Sequence, residues 1–487
     1  MRDSTVIGGG GTDVTYRNQV TSEQLATLVQ TQLSKPPNSP ERHSSSKLQP
    51  VQRHQAGTSS SSSSLSGTST MEARLYESES LLERSNHTAF IDDNVLYVWG
   101  GYQVVAGQET ILPSDEIWEC DLDSGEWVCR AIGGDAPSEL SGPCGSFLNG
   151  SLYVFAGCEP MGYTNQLFSV DLTEECYTWR RITDTKGTTP SPRNKHSCWV
   201  HKDRLIYFGG YGCKTIQEVR NTSALSFIVE ETSWTAIGNT YFRCWGWNNE
   251  VNVFDTQTNS WSMPETQGPA PSPRGCHASA VLGNRGFVCG GLDSKDLDLY
   301  CLDLDTWTWT YYDLCSSRVP IGRSMHTLTP TSDHTLLLYG GFGDNEVGVD
   351  QSRARSDAWQ FDTLRKEWME RTDHPHHDKP RLWHSACGGE GDQVVVFGGS
   401  SNFCIQMDSV AVLRSPWQSH CKDVFVFQNQ PSSLSRLTKD AIARNQTLLT
   451  QQLSWLPRRL LKEICKRLAF FSSQQPGAPT RQPEATA

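Results

Sequence analysis

The chain has 487 residues, a net charge of −12, 20% charged residues and 36% hydrophobic residues. That acidic balance argues against nucleic acid as the main partner, because phosphate binding needs a basic field. No run approaches the ~20 apolar residues of a membrane-spanning helix, and the N-terminal stretch MRDSTVIGGGGTDV lacks the apolar centre of a signal peptide; a cytoplasmic location is expected, with the nucleus left open and no membrane partner.

Residues 1–75 are rich in Ser, Thr, Gln, Pro and Gly, carry a serine run from Ser59 to Ser64, and have almost no aromatics. Such a segment cannot bury enough apolar surface to offset its ordering entropy, so a disordered extension is expected. The 16 cysteines are scattered without a tight framework and read as reduced thiols packed as small hydrophobes.

Over residues 80–430 one pattern returns. The strand-like runs VLYVW, SLYVF, RLIYF, RGFVC, TLLLY and QVVVF each end in a pair of small residues: Gly100-Gly101, Ala156-Gly157, Gly209-Gly210, Gly290-Gly291, Gly340-Gly341 and Gly398-Gly399. A tryptophan follows in most units, at Trp127, Trp179, Trp261, Trp309 and Trp368. Most units open on an Arg and a His a few residues apart: Arg84/His87, Arg193/His196, Arg274/His277, Arg323/His326 and Arg381/His384. A repeat near 50 residues with paired glycines and a late tryptophan is a kelch signature. It predicts an all-β, six-bladed propeller in which glycines permit close backbone approach and tryptophans wedge blade against blade. The third unit carries an insertion from Tyr211 to about Arg243 and the fifth a charged insert, DNEVGVDQSRARSD; both are read as loops on one face. The sequence leaves the closure of the ring open, a strand borrowed from either terminus being one way to complete the last blade.

Residues 431–470 switch to helical periodicity. Leu434, Leu437, Ala441 and Ile442 recur at helix spacing, and a second helix is expected to start at Pro457 and present Leu460, Leu461, Ile464 and Leu468. Residues 471–487 read as a disordered tail.

No G-x-S-x-G elbow, P-loop, H-E-x-x-H or C-x-x-C pair occurs. A non-catalytic protein without cofactor or metal is expected. The cluster His374-Pro375-His376-His377 is read as a solvated polar loop, and the recurring Arg/His pairs as repeat architecture.

The runs LYVWGGY, DRLIYFGGYGC, LGNRGFVCGG, LDLDTWTW and KPRLWHSAC resemble the kelch domain-containing protein 1 and 2 family, the first member more nearly, from about Glu83 to Leu468. The resemblance implies a substrate receptor of a cullin 2–elongin B/C ubiquitin ligase that captures protein C-termini, typically ending in diglycine, in a propeller pocket. It implies degron-binding roles for Tyr102, Lys195, Tyr211, Trp247, Lys295 and Ser324. Where the family has two arginines in the fourth-blade loop, this chain has Leu292 and, after a two-residue deletion, Lys295; a family tryptophan is Met325 here. The resemblance also implies an elongin C box at Ser433, Leu434, Thr438 and Ile442, and a cullin 2 box at Leu456, Pro457, Leu460 and Ile464. The other readings are a receptor with altered degron specificity, and a kelch scaffold outside the ubiquitin system.

Overall fold

The computed structural model describes residues 82–105, 108–159, 162–223, 225–237, 240–292, 297–314, 318–343, 353–402, 406–408, 411–413, 419–429, 434–444 and 457–473. The expected N-terminal extension lies outside them.

Six antiparallel sheets form the blades of a propeller. Blade I is Thr88–Asp92, Val95–Trp99, Glu116–Asp121 and Trp127–Ala131, and blade II is Cys144–Leu148, Ser151–Glu159, Gly162–Asp171 and Thr178–Arg181. Blade III is Ser197–His201, Arg204–Thr215, Thr240–Asp255 and Ser260–Ser262. Blade IV is Ala278–Leu282, Arg285–Cys289, Leu299–Asp303 and Thr308–Tyr311; blade V is Thr327–Ser332, Thr335–Tyr339, Ala358–Asp362 and Glu367–Glu370. Blade VI has three described strands: Ser385–Gly388, Val394–Phe397 and Val424–Phe427. The second strands TLLLY and VVVF are buried at every residue, because each blade packs on neighbours across both faces.

The innermost strands neighbour one another in sequence order, and that of blade VI meets that of blade I. Among the described residues no strand is exchanged to close the ring. The closure is a lock at the start of blade I: Asn86 donates its N–H to the Trp383 carbonyl at 2.8 Å, Gly399 donates to the Arg84 carbonyl at 2.8 Å, and His87 Nε2 meets Ser385 Oγ at 2.9 Å.

Each late tryptophan wedges against the blade before it. Trp127 lies 5.1 Å from Phe397, Trp179 5.4 Å from Trp99, Trp261 5.0 Å from Phe155 and Trp309 5.3 Å from Phe208. Trp368 joins the cluster holding Phe287 and Cys289 of blade IV. Among the described residues blade VI has no such tryptophan, and the histidine cluster packs at the corresponding wedge. His374 is buried, its ring 5.4 Å from Phe427 and 6.4 Å from Tyr339. His376 packs 4.4 Å from Phe425 and bonds the Val426 carbonyl on the sheet edge at 3.0 Å. The expected solvated loop is therefore a plug between blades V and VI. Burial lowers the pKa of both imidazoles, keeping them neutral and compatible with an aromatic site.

The blade III insertion is also not the expected loop. Its second and third strands run on to Thr215 and back from Thr240, and Phe227–Ile237 pairs along the outer side. Between them a short helix α1, Ile216–Asn221, is started by a capping box, with Thr215 Oγ1 accepting from Glu218 N and Glu218 accepting from Thr215 N. Beneath it, buried Lys214 bonds Thr222 Oγ1 at 3.0 Å and pairs with Glu250.

Beyond the propeller, α2 (Leu434–Arg444) and α3 (Arg458–Ser473) pack together. The latter begins one residue after the expected Pro457, whose carbonyl accepts from Leu461. None of the described helices is long and apolar enough to cross a membrane.

Candidate functional site

The Arg/His motif builds the centre of the ring. Arginine Nη1 bonds the carbonyl of the first glycine of its own blade at Gly100, Gly209, Gly290 and Gly340. In blades III to VI the same guanidinium pairs with a carboxylate at the head of the next strand: Arg193 with Glu250, Arg274 with Asp298, Arg323 with Asp357, and Arg381 with Asp423, at 2.6–2.8 Å. Burial pushes the Glu250 carboxyl up, but the charges of Arg193 and Lys214 outweigh it and hold the pKa at about 2.

The histidine reaches back to the previous blade. His87, His277 and His384 bond hydroxyls that open the preceding inner strand, on Ser385, Ser197 and Thr327. His196 and His326 have no hydrogen-bond partner on either ring nitrogen; the residues at that register in the preceding blades are Cys144 and Ala278. Burial, reinforced by the neighbouring arginine, drives all five imidazole pKa values down, to about 3 for His277 and His384. The glycine pair fits between these rings: a Cβ on Gly290 would stand 3.1 Å from His326 Cε1, and one on Gly291 3.1 Å from His277 Cβ.

Between each arginine and histidine sits one residue in the left-handed region: Asn86 (φ 54°), Lys195 (57°), Cys276 (54°), Met325 (60°) and Trp383 (56°), with Gly142 (64°) at the matching place in blade II. Successive members hydrogen-bond by backbone, Cys276 N to Lys195 O, Met325 N to Cys276 O, Trp383 N to Met325 O and Asn86 N to Trp383 O. These six and the residue after each, five histidines and Pro143, line one cavity of about 160 Å³. The annulus is a site built by repetition on a closed ring.

The residues expected to bind a degron fall differently around it. Lys195 lines the cavity; its Nζ stands 6.0 Å from the Tyr211 ring and 5.7 Å from Trp247. Those rings meet edge-on at 4.8 Å, and Trp247 Nε1 donates to Glu230 at 2.6 Å. Tyr163 and Trp245 extend this aromatic group, with centroids 5.2 Å apart. Ser324 is buried beside Met325, its backbone paired with Phe342. Tyr102 is buried away from the cavity lining, its backbone paired with Ser85 and its ring edge-on to His420 at 5.3 Å. Lys295 lies outside the described residues. Leu292 packs with Phe342, Ala354 and Trp383 against buried Cys276, Met325 and Leu382. Sequence reasoning missed Asn86, Cys276 and Trp383. Their signal was present, since they share the repeat register of Lys195 and Met325.

The residues expected to bind an adaptor divide into two sets. On α2, Leu434 is 80% exposed and Leu437 52%, with Thr438 and Ala441 exposed on the same side. Ile442 is half-buried, and Ile464 of α3 is fully buried, so it holds the helices together and does not face outward. Leu460 is half-buried and Pro457 exposed; Ser433 and Leu456 lie outside the described residues. Ion pairs join Lys439 to Glu463 and Arg467 to Asp440. Lys466 pairs with Asp121, and Arg467 donates to the Asp123 carbonyl at 3.1 Å, seating the pair on an outer turn of blade I.

Among the described residues no three His, Cys, Asp or Glu side chains are grouped to hold a metal, and no described cysteine forms a disulfide.

The KLHDC2/KLHL20/DRC7 Kelch-repeats domain family matches residues 65–244 and 244–437. Human kelch domain-containing protein 1 is 42% identical over 396 residues, covering 80% of this chain and 91% of that protein. Human kelch domain-containing protein 2 is 38% identical over 413 residues, covering 83% and 95%. The chain belongs to the kelch-repeat family that contains kelch domain-containing proteins 1 and 2.

Proposed function

We propose that this protein is the substrate receptor of a cullin 2–elongin B/C ubiquitin ligase, with a non-catalytic propeller that captures the C-termini of target proteins. The family resemblance points to ends of the diglycine type. In this reading the annular cavity is the reading head, with Lys195 as a cation for the terminal carboxylate and Tyr211 and Trp247 beside it for the preceding residues. The α2 face of Leu434 and Thr438 seats on elongin C as an amphipathic helix in a groove. Ile442 supports that face from behind, and Pro457 and Leu460 at the start of α3 meet the cullin.

The observation that carries this reading is Leu434, a large apolar side chain left four-fifths exposed on a helix pair fixed to the propeller by Lys466 and Arg467. The test is co-purification of elongin B/C with the full chain. Wild type is expected to retain the adaptor, and Leu434→Arg to lose it with its melting temperature unchanged. Equal recovery with both proteins would sink the adaptor role.

A further inference from the structure

The annulus is divided in two by chemistry. Blades I to III contribute Asn86, Gly142 and Lys195; blades IV to VI contribute Cys276, Met325 and Trp383. The first half is polar and cationic. Among the described residues the Lys195 ammonium makes no ion pair and no hydrogen bond, only the two ring contacts, in contrast to the repeat arginines of blades III to VI, each matched to its own carboxylate. The second half is apolar and backed by apolar side chains, with Leu292, Phe342 and Ala354 packed around buried Cys276, Met325 and Leu382.

We infer that the cavity selects a C-terminal residue with an apolar side chain, its carboxylate on the Lys195 and Asn86 side and its side chain against Cys276, Met325 and Trp383. This rests on the C-terminal capture proposed above but departs from the diglycine end that the family resemblance implies, because Leu292 and Met325 stand where the family has an arginine and a tryptophan. A carboxylate gains a full cation at Lys195, whereas Trp383 Nε1 on the opposite wall is a neutral donor, so it goes to the Lys195 side. The last Cα then carries its side chain toward the opposite wall. A terminal glycine leaves that wall facing water, whereas leucine, methionine or phenylalanine covers it. Burying such a side chain is expected to tighten binding about 10- to 100-fold over glycine. An acidic last residue, desolvated against Met325 and Trp383, is rejected.

The experiment is selection by the full-length protein from a peptide library of fixed length with its last six positions randomised, presented once as free acids and once as C-terminal amides. The expected result is enrichment of Leu, Met, Phe or Val at the last position of the free acids, with none among the amides. Enrichment of glycine or a charged residue at the last free-acid position would overturn the apolar selection and leave C-terminal capture standing. Equal selection of acids and amides would overturn both. Met325→Lys is expected to move the preferred last residue toward Asp and Glu. An unchanged profile in a folded variant contradicts the assignment of the apolar wall, and the wild-type comparison decides the matter if that variant does not fold.

Discussion

Arg323 shows how a repeated residue is held. Its guanidinium is fully buried, meets both oxygens of Asp357 at 2.8 Å and bonds the Gly340 carbonyl at 3.0 Å. Burial raises the Asp357 carboxyl, and the bonds and charge of Arg323 more than reverse that. Arg323→Leu would leave the Asp357 carboxylate only Arg355 and Trp359 Nε1 as partners, so unfolding in urea should show a loss of about 3 kcal/mol, the low end for a broken buried pair. Arg381→Leu should cost less, since the Asp423 side chain is 37% exposed. The histidines set the response to acid. They are neutral in the fold, while in the unfolded chain they protonate below about pH 6.5. Between that pH and about 3, where His277 and His384 titrate in the fold, the unfolded state binds more protons, so stability falls as pH falls. The melting temperature is expected to be flat above pH 7 and to drop steeply from 6.5 to 5. His326→Asn should flatten that drop by up to about 1.4 kcal/mol per pH unit, because neither ring nitrogen of His326 has a hydrogen-bond partner to lose. An unchanged slope would contradict the assignment.

Among the elements, the helix pair is held to blade I through Lys466 on Asp121 and Arg467 on the Asp123 carbonyl. Arg467 is buried between Asp440 and the Asp123 carbonyl, so Arg467→Ala should loosen α2 and α3 together. Hydrogen exchange is expected to speed up across 434–444 and to stay slow in the blade strands; faster exchange throughout would mean that the tail is part of the propeller core. The blades themselves were legible in the sequence, because six copies of one pattern agree in register and the glycine pair and late tryptophan each have a single structural use. The plug between blades V and VI was not, because it comes from His374 and His376, which carry no repeat signal. The blade III insertion misled for a different reason: its strands gain their partners from each other, and only the capping box at Thr215 and Glu218 marked a turn in local sequence. For the candidate site, Lys195, Tyr211 and Trp247 were named by family likeness. Asn86, Cys276 and Trp383 share the repeat register of Lys195 and Met325, but that this register forms one wall shows only when the ring is closed.

At the scale of the whole molecule, closure of the ring turns a one-residue register into a central annulus, and the helix pair fixes an exposed apolar face to blade I. Two separate surfaces, the annulus and the α2 face, suit the proposed receptor bridging target and ligase, and they should be separable. The most direct measurement is quantitative affinity purification of the full chain from cells as wild type, Leu434→Arg and Lys195→Ala, with captured proteins identified by mass spectrometry. The account predicts that Leu434→Arg loses elongin B/C and cullin 2 while keeping its targets, and that Lys195→Ala keeps the ligase components while losing targets. Retention of both sets by both variants would contradict it.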